Sequence, residues 1–328
     1  LVLDTENPGD VAAWMADDDF KIRLGEVSTA EGGTELRVRD DVKSPWRSWM
    51  KVGPEENLGA LDFTKDGKSL FIQSSIGSDT AGVRERNLAT GAEKLIATSP
   101  DVDSGDVMIH PQKKIVEAVS FEPGRRQWKV IDPTVQADFD ALAKVHDGDF
   151  SIVSRDRADK TWLVAYTSDR GPVSFYSWDR GAKKSTFLFT AQPKLENLTL
   201  AEMKAVVVPA RDGLKLNSYL TLPAGVPAKN LPMVLFVHGG PWARDNWGYN
   251  PYAQWFANRG YACLQVNFRG STGYGKKFLN AGNKEWGLKM HDDLIDAVDW
   301  AIAQGYADPK RVAIYGGSYG GYSALAGV

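Results

Sequence analysis

The hydrophobic pattern divides the chain into two parts with different periods. From residue 1 to about residue 195, short apolar segments alternate with turn residues, and few stretches show helical spacing. This pattern predicts a mostly β region. From residue 196 onward, apolar strands alternate with helical stretches, which predicts a largely parallel sheet covered by helices on both faces. Pro193 and the polar run 194–197 mark the boundary between the two predicted domains, 1–195 and 196–328.

A repeat runs through the first part. The segments 67–72, 112–117 and 159–164 align, which places Leu70, Ile115 and Trp162 at intervals of 45 and 47 residues. A period near 45 with about four strands per unit is typical of β-propeller blades, each too small to bury its apolar face alone. Together with an earlier unit that ends near residue 52, the repeat predicts a partial β-propeller of about four blades. A β-sandwich is the alternative, and the repeat disfavours it.

The second part contains five candidate strands and two candidate helices. Helix 289–304 carries apolar residues at spacings of three and four, as expected for one buried face. The strands are predicted at 205–208, 216–222, 233–237, 262–267 and 312–315, and the other helix at 251–258.

The segment Tyr315 to Tyr322 carries the strongest functional signal. It contains Gly316-x-Ser318-x-Gly320, the pattern of a nucleophile elbow, in which a serine occupies a tight turn between a strand and a helix. The apolar strand 312–315 precedes this turn, and we expect the small residues at 316, 317, 320 and 321 to permit it. We therefore predict that Ser318 is a nucleophile and that the second part is a partial α/β-hydrolase fold, ending just after the elbow.

A second signal is His238-Gly239-Gly240-Pro241, which directly follows the apolar strand 233–237. In an α/β-hydrolase this position holds a loop that donates a backbone N–H to the oxyanion formed during attack on a carbonyl. We expect the N–H groups of Gly240 and Tyr319 to form this oxyanion hole. A simple tight turn is the alternative.

A general base for Ser318 is not evident. In this fold the acid and the histidine follow the serine along the chain, and only residues 319–328 remain. We therefore expect residues 1–328 to lack the catalytic Asp and His, to be truncated at both ends, and to have little activity alone. The histidines have other expected roles: His238 orients the oxyanion loop, His291 with Asp292 and Asp293 caps a helix, and His110 and His146 are loop or core side chains.

The composition disfavours several classes of binding site. The 39 basic and 42 acidic residues are interspersed and give a net charge of −3, so neither a nucleic-acid surface nor a membrane surface is indicated. Cys263 is the single cysteine, which excludes an intrachain disulfide, and its apolar neighbours predict a buried thiol. No metal-ligand spacing is present, no cofactor is indicated, and Glu55 and Glu56 are expected to be solvated rather than to bind a substrate ammonium group. The composition is compatible with a homo-oligomer and with either a cytoplasmic or an exported protein.

Four motifs together resemble the prolyl oligopeptidase family of serine peptidases, most of all its acylaminoacyl-peptidase-like and dipeptidyl-peptidase-like members. They are His238 to Pro241, Asn267 to Gly275, Trp286-Gly287 and Gly316 to Tyr322. The resemblance implies a propeller that covers an α/β-hydrolase domain and admits only unstructured peptides. It also implies Ser318 as nucleophile, with Gly240 and Tyr319 as the oxyanion donors.

The resulting prediction is a serine peptidase that hydrolyses short peptides through an acyl-enzyme intermediate. A carboxylesterase on the same fold and a noncatalytic peptide-binding scaffold are the alternatives. The blade repeat disfavours the esterase because a simple esterase needs no propeller filter, and the intact serine and glycines disfavour the scaffold.

Overall fold

The computed structural model describes residues 5, 7 and 9–327. Within this part of the chain, residues 11–190 form four separate antiparallel sheets, and in each sheet the strands pair in sequence order. The number of sheets agrees with the predicted number of repeat units. Leu70 and Trp162 occupy the second strand of their sheets and are fully buried, whereas Ile115 precedes its strand and is 39% exposed.

The four sheets contain fifteen of the described strands. The first sheet contains β1 (Val11–Ala16), β2 (Ile22–Ser28), β3 (Thr34–Val38) and β4 (Arg47–Val52). The second contains β5 (Leu58–Phe63), β6 (Ser69–Ser74), β7 (Gly82–Asn87) and β8 (Glu93–Ala97). The third contains β9 (Ser104–Ile109), β10 (Val116–Phe121) and β11 (Gln127–Val130), and the fourth contains β12 (Asp149–Arg155), β13 (Thr161–Thr167), β14 (Ser174–Asp179) and β15 (Lys184–Thr190).

The third sheet has three strands where the repeat predicts about four. A 3₁₀ turn, Pro133–Val135, and helix α1 (Gln136–Leu142) follow β11 instead. The side chain of Asp132 accepts a hydrogen bond from the N–H of Thr134, and the proline at the first position of the turn needs no such partner. An Asp-Pro pair is a known helix-start signal, so the sequence already marks this position as the start of a helical segment.

The second part contains one five-stranded sheet in the order β16-β17-β19-β18-β20. Its strands are β16 (Met203–Pro209), β17 (Lys215–Thr221), β18 (Leu231–Val237), β19 (Ala262–Val266) and β20 (Ala307–Gly316). All five predicted strands are present, and β20 begins earlier than predicted. Strands β19, β18 and β20 are parallel, but β17 pairs antiparallel with both of its neighbours.

The expectation of a largely parallel sheet is therefore wrong for half of the strand pairs. A tight turn joins β16 to β17, with a hydrogen bond from the N–H of Ala210 to the carbonyl of Leu214. Such a short connection permits only antiparallel pairing, because a parallel pair needs a crossover of a dozen or more residues.

Four helices lie in the second part. They are α2 (Pro251–Ala257), α3 (Lys276–Asn280), α4 (Lys289–Ala303) and α5 (Tyr319–Ala326). Asn250 caps α2 by accepting hydrogen bonds from the N–H groups of Tyr252 and Ala253. Helix α4 buries Met290, Leu294, Ala297 and Ala301, whereas Ile295, which belonged to the apolar spacing that predicted the buried face, is 40% exposed. Of the helices in the described residues, none combines the length and apolarity needed to cross a membrane.

The two parts of the chain pack directly against each other. One hydrophobic cluster contains Phe71 and Val119 from the four-sheet region together with Leu235 and Leu264 from the five-stranded sheet. Cys263, in the same strand as Leu264, is completely buried, as expected.

A polar contact also joins the two parts. The ammonium group of Lys276, at the start of α3, lies 2.6 Å from the carboxylate of Glu56 and donates a hydrogen bond to the carbonyl of Ser75. The carboxylate of Glu56 also accepts a hydrogen bond from the Ser75 hydroxyl. The expectation that Glu56 is simply solvated is therefore wrong.

Candidate active site

Ser318 lies in the turn between β20 and α5. Its backbone has φ 55° and ψ −120°, a combination that residues other than glycine rarely adopt. Such a strained conformation persists only where the surrounding structure enforces it, and it is concentrated at functional sites. The side chain is exposed and makes no capping hydrogen bond to α5. Its hydroxyl is therefore accessible to a ligand.

Glycine at position 320 explains how the elbow fits onto the sheet. The carbonyl group of Val237, the last residue of β18, occupies the place that a Cβ atom on Gly320 would take. A Cβ atom on Gly316 would lie 2.6 Å from the same carbonyl oxygen, whereas one on Gly317 would meet nothing within 4 Å. A Cβ atom on Gly321 would make only an ordinary contact, 3.5 Å from the carbonyl oxygen of Gly316. The absence of a side chain is therefore needed at Gly316 and Gly320, and the expectation is wrong for Gly317 and Gly321.

The loop His238–Pro241 lies beside the elbow. A Cβ atom on Gly239 would lie 3.3 Å from the Cβ of Ser318 and 3.9 Å from its Oγ. Gly240 has φ 127°, and its peptide bond to Pro241 is cis. In the described residues the N–H of Gly240 makes no backbone hydrogen bond. Tyr319 opens α5, where the first N–H groups have no acceptor within the helix.

The segment Asn267–Gly275 holds the residues that directly follow this loop. The N–H of Asp245 donates to the side-chain oxygen of Asn267 at 2.7 Å, and the amide group of Asn267 donates back to the Asp245 carbonyl at 3.1 Å. The N–H of Thr272 donates to the carbonyl of Ala243. Asn267 is completely buried. This glycine-rich motif is evident in the sequence, but its contacts with Ala243 and Asp245 are not.

Arg244 adds a connection to the four-sheet region. Its guanidinium group donates to the hydroxyl of Tyr274 at 2.8 Å and to the carbonyl of Glu122 at 3.1 Å. The guanidinium group also lies 4.4 Å from the centre of the Tyr274 ring. The loop next to Ser318 is therefore attached to both parts of the chain.

A buried ion pair joins the segment Asn267–Gly275 to helix α4. The guanidinium of Arg269 donates to both carboxylate oxygens of Asp293, at 2.6 and 2.8 Å, and one of these oxygens also accepts the N–H of Arg269. These hydrogen bonds raise the pKa of the Arg269 guanidinium above its ordinary value, although burial by itself would lower that pKa. The expectation that Asp293 caps the helix is wrong, because Leu288 occupies the N-cap position of α4 and makes no side-chain cap.

The ring of His238 contacts its own loop and the segment Asn267–Gly275. Its ring stacks on Phe268 with 4.6 Å between the ring centres. Nδ1 lies 2.8 Å from the carbonyl oxygen of Gly239, and Nε2 lies 3.1 Å from Oγ of Ser271. Both ring nitrogens are therefore engaged within the oxyanion loop and its supporting segment.

The other histidines lie elsewhere. His291 lies against Gly327, at the far end of α5 from Ser318. The ring of His146 contacts Tyr166 and Tyr176 in the fourth sheet. Of the hydrogen bonds in the described part of the chain, none joins a histidine to Ser318.

Aromatic rings surround the first turn of α5. The ring of Tyr319 is buried and contacts Phe268 and Trp286, with ring centres 5.2 and 4.9 Å away. Tyr322, one turn further on, also contacts Trp286. These contacts fix the start of the helix whose first N–H group belongs to Tyr319.

One group of metal-ligand residue types occurs in the four-sheet region, where His110, Glu117 and Asp159 each place one donor atom within 4.8 Å of the others. However, Arg155 already donates to Glu117 at 2.5 Å and to Asp159 at 3.2 Å. Nδ1 of His110 accepts hydrogen bonds from two backbone N–H groups. A metal ion would have to displace Arg155, so these residues fit an internal ion network better than a metal site.

Comparison with known proteins agrees with the motifs. Residues 247–328 match the prolyl oligopeptidase family. The chain is 44% identical to dipeptidyl aminopeptidase BIII of Pseudoxanthomonas mexicana, over 98% of the chain and 48% of that protein. It is 33% identical to dipeptidyl peptidase family member 6 of Caenorhabditis elegans, over 94% of the chain and 46% of that protein. The chain thus spans about half the length of these curated relatives.

A solved structure with a similar fold is that of a puromycin-hydrolyzing peptidase of Mycobacterium tuberculosis. The TM-score is 0.78 at 21% identity, and the match covers 98% of this chain and 51% of the other. At this level of identity the similarity is one of fold alone. The family match over residues 247–328 and the similarity to the two sequence relatives show that the chain belongs to the prolyl oligopeptidase family.

Proposed function

We propose that the full-length protein is a serine peptidase that hydrolyses short peptides through an acyl-enzyme intermediate on Ser318. The observation that carries this proposal is the contact between the elbow and the oxyanion loop, where a Cβ atom on Gly239 would lie 3.9 Å from Oγ of Ser318. The similarity to enzymes named dipeptidyl aminopeptidase and dipeptidyl peptidase supports peptides as substrates.

In the proposed reaction, Oγ of Ser318 loses its proton to a general base and attacks the carbonyl carbon of the substrate. The carbonyl oxygen becomes an oxyanion, and the N–H groups of Gly240 and Tyr319 stabilise it. Removal of one such donor typically costs about 3 kcal/mol of transition-state stabilisation. Collapse of the tetrahedral intermediate breaks the C–N bond and protonates the amine leaving group. Water then hydrolyses the serine ester.

The general base is proposed to lie outside residues 1–328. Both ring nitrogens of His238 are already engaged by Gly239 and Ser271, and His291 lies at the far end of α5. We therefore propose that a His and an Asp elsewhere in the full-length protein complete the triad, and that residues 1–328 alone turn over little substrate.

For the architecture, we propose that residues 1–195 are about four blades of a β-propeller and that residues 196–328 are the first part of an α/β-hydrolase domain. Four successive antiparallel sheets support the first assignment. The parallel strands β19, β18 and β20, with the serine turn directly after β20, support the second. In this arrangement the blades would limit access to short or unfolded peptides.

The test is covalent labelling of the full-length protein with a fluorophosphonate, followed by identification of the modified residue. We expect an adduct at Ser318, its loss in Ser318→Ala, and faster turnover of short peptides than of simple esters. An adduct with turnover of esters only would favour a carboxylesterase. A complete absence of labelling in folded protein would favour a noncatalytic scaffold and contradict the proposal.

A further inference from the structure

Trp242 directly follows the cis Gly240–Pro241 bond of the oxyanion loop. Its side chain is 62% exposed, more than that of any other tryptophan in the chain. Tryptophan is usually highly buried because its large apolar surface is costly to leave in water. An exposed indole next to a candidate nucleophile therefore requires an explanation.

The other two exposed tryptophans have partners for their rings. Trp255 is covered by the guanidinium of Arg259 at 4.7 Å from the ring centre. Trp286 packs against Tyr319 and Tyr322. In the described part of the chain, Trp242 takes part in no aromatic pair and no cation–π contact. Its indole surface is open to a ligand.

The backbone that carries Trp242 is fixed. The N–H of Ala243 donates to the carbonyl of Pro241 at 2.8 Å, and the carbonyl of Ala243 accepts the N–H of Thr272. The loop is so compact that a Cβ atom on Gly240 would lie 2.7 Å from the N of Trp242. An exposed ring on a fixed backbone loses little conformational freedom when it binds a partner.

Trp242 also lies within reach of a substrate bound at Ser318. Trp242 is three positions after Gly239, and three extended residues span at most about 10 Å. A bound peptide advances by about 3.4 Å per residue, so side chains within roughly three positions of the scissile bond can reach the indole.

We propose that Trp242 is a specificity-determining residue that contacts the substrate and selects peptides with an apolar or aromatic side chain close to the scissile bond. This inference rests on the proposed peptidase function of Ser318. A cationic side chain is disfavoured because the carboxylate nearest to Trp242 along the chain, that of Asp245, accepts a hydrogen bond from Gln265 at Oδ1, and its Oδ2 is buried.

The experiment compares full-length wild type with Trp242→Ala, Trp242→Phe and the matched control Trp255→Ala. The substrates are pairs of short peptides that differ only at one position near the scissile bond, where one peptide has Phe and the other has Ser. Each position near the scissile bond is tested in turn. For one position we expect Trp242→Ala to lower kcat/KM for the Phe peptide about tenfold and to leave the Ser peptide nearly unchanged. Trp242→Phe should retain most of the preference, and Trp255→Ala all of it.

Two further measurements make the outcome decisive. Fluorophosphonate labelling of Ser318 should proceed at the wild-type rate in Trp242→Ala. If the label reacts normally but the Phe/Ser ratio is unchanged at every position, the peptidase proposal stands and the specificity inference falls. Resistance of Trp242 to indole oxidation in the full-length protein, or a stronger effect on Lys peptides, would also overturn the inference. If wild type is not labelled at Ser318, both proposals fail together.

Discussion

The carbonyl group of Val237, at the end of β18, lies against Gly320 in the first turn of α5, with no space between them for a Cβ atom. This contact joins the strand that leads into the loop His238–Pro241 to the helix that follows Ser318. The relative position of Ser318 and this loop therefore depends on the absence of a side chain at position 320.

We predict that Gly320→Ala displaces the elbow and slows fluorophosphonate labelling of Ser318 by about 100-fold, since a misplacement of about 1 Å can cost that much. Gly321→Ala is the matched control, because its Cβ atom would lie 3.5 Å from the carbonyl of Gly316, an ordinary contact. The measurement is the labelling rate in full-length protein whose circular dichroism matches wild type. Equal rates for the two variants would show that the contact does not position Ser318.

The sequence pattern predicted the local features of the site and missed most of the contacts between distant segments. The turn at Ser318 and the loop that follows β18 were predictable because each combines an apolar strand with glycines in a short segment. Helix α1 could have been predicted from Asp132-Pro133. The Lys276–Glu56 contact could not, because 220 residues separate its partners and nothing in the local pattern of either distinguishes it from a solvated charge.

The same limit explains the error at Asp293. A carboxylate in the first turns of a helix commonly interacts with the helix dipole, and that is the interpretation its sequence position favours. Its actual partner, Arg269, comes from the loop after β19 and reaches it only because the sheet brings that loop beside α4. Pairing between charges that are distant in sequence depends on the strand order β16-β17-β19-β18-β20. Hydrophobic periodicity does not specify that order.

We predict that Asp293→Asn lowers the free energy of unfolding by about 3 kcal/mol, because it leaves the buried Arg269 without its main counter-charge. This loss lies at the lower end of the range of about 3 to 5 kcal/mol for a broken buried ion pair, because Arg269 keeps its ion pair with the partly exposed Asp212. The control is Asp292→Asn, one residue earlier, which removes only an exposed pair with Arg211. Urea unfolding monitored by tryptophan fluorescence measures both. Similar midpoints for the two variants would contradict a structural role for the buried pair.

The Glu56–Lys276 contact predicts a pH dependence. Burial by itself would raise the pKa of the Glu56 carboxyl, but hydrogen bonds from Lys276 and Ser75 outweigh burial and hold its pKa below the ordinary value of 4.5. A carboxyl with a lowered folded-state pKa stabilises the protein fully above its unfolded pKa. That stabilisation is lost as the pH falls through the folded-state pKa.

We therefore expect wild type to be more stable than Glu56→Gln at pH 7, by about 1 kcal/mol, and this difference to shrink as the pH falls below about 4.5. Glu55→Gln is the matched control, since the contact to Asn280 at that position uses the backbone carbonyl of Glu55. Denaturant midpoints at several pH values and at two salt concentrations provide the measurement. A difference that is constant with pH would show that the Glu56 charge does not contribute.

The side chain of Arg155 is only 8% exposed and lies between Glu117 and Asp159, both almost fully buried. The change Arg155→Met removes the guanidinium and leaves two buried carboxylates with less compensating positive charge. This should lower the free energy of unfolding by about 3 to 5 kcal/mol. Lys21→Met is the control, because Lys21 and its partner Asp19 are both exposed. Thermal and urea unfolding of wild type should not change on addition of a chelator, since Arg155 supplies the positive charge that a metal ion would otherwise provide. A chelator that lowers the wild-type midpoint would instead assign a bound metal to His110, Glu117 and Asp159.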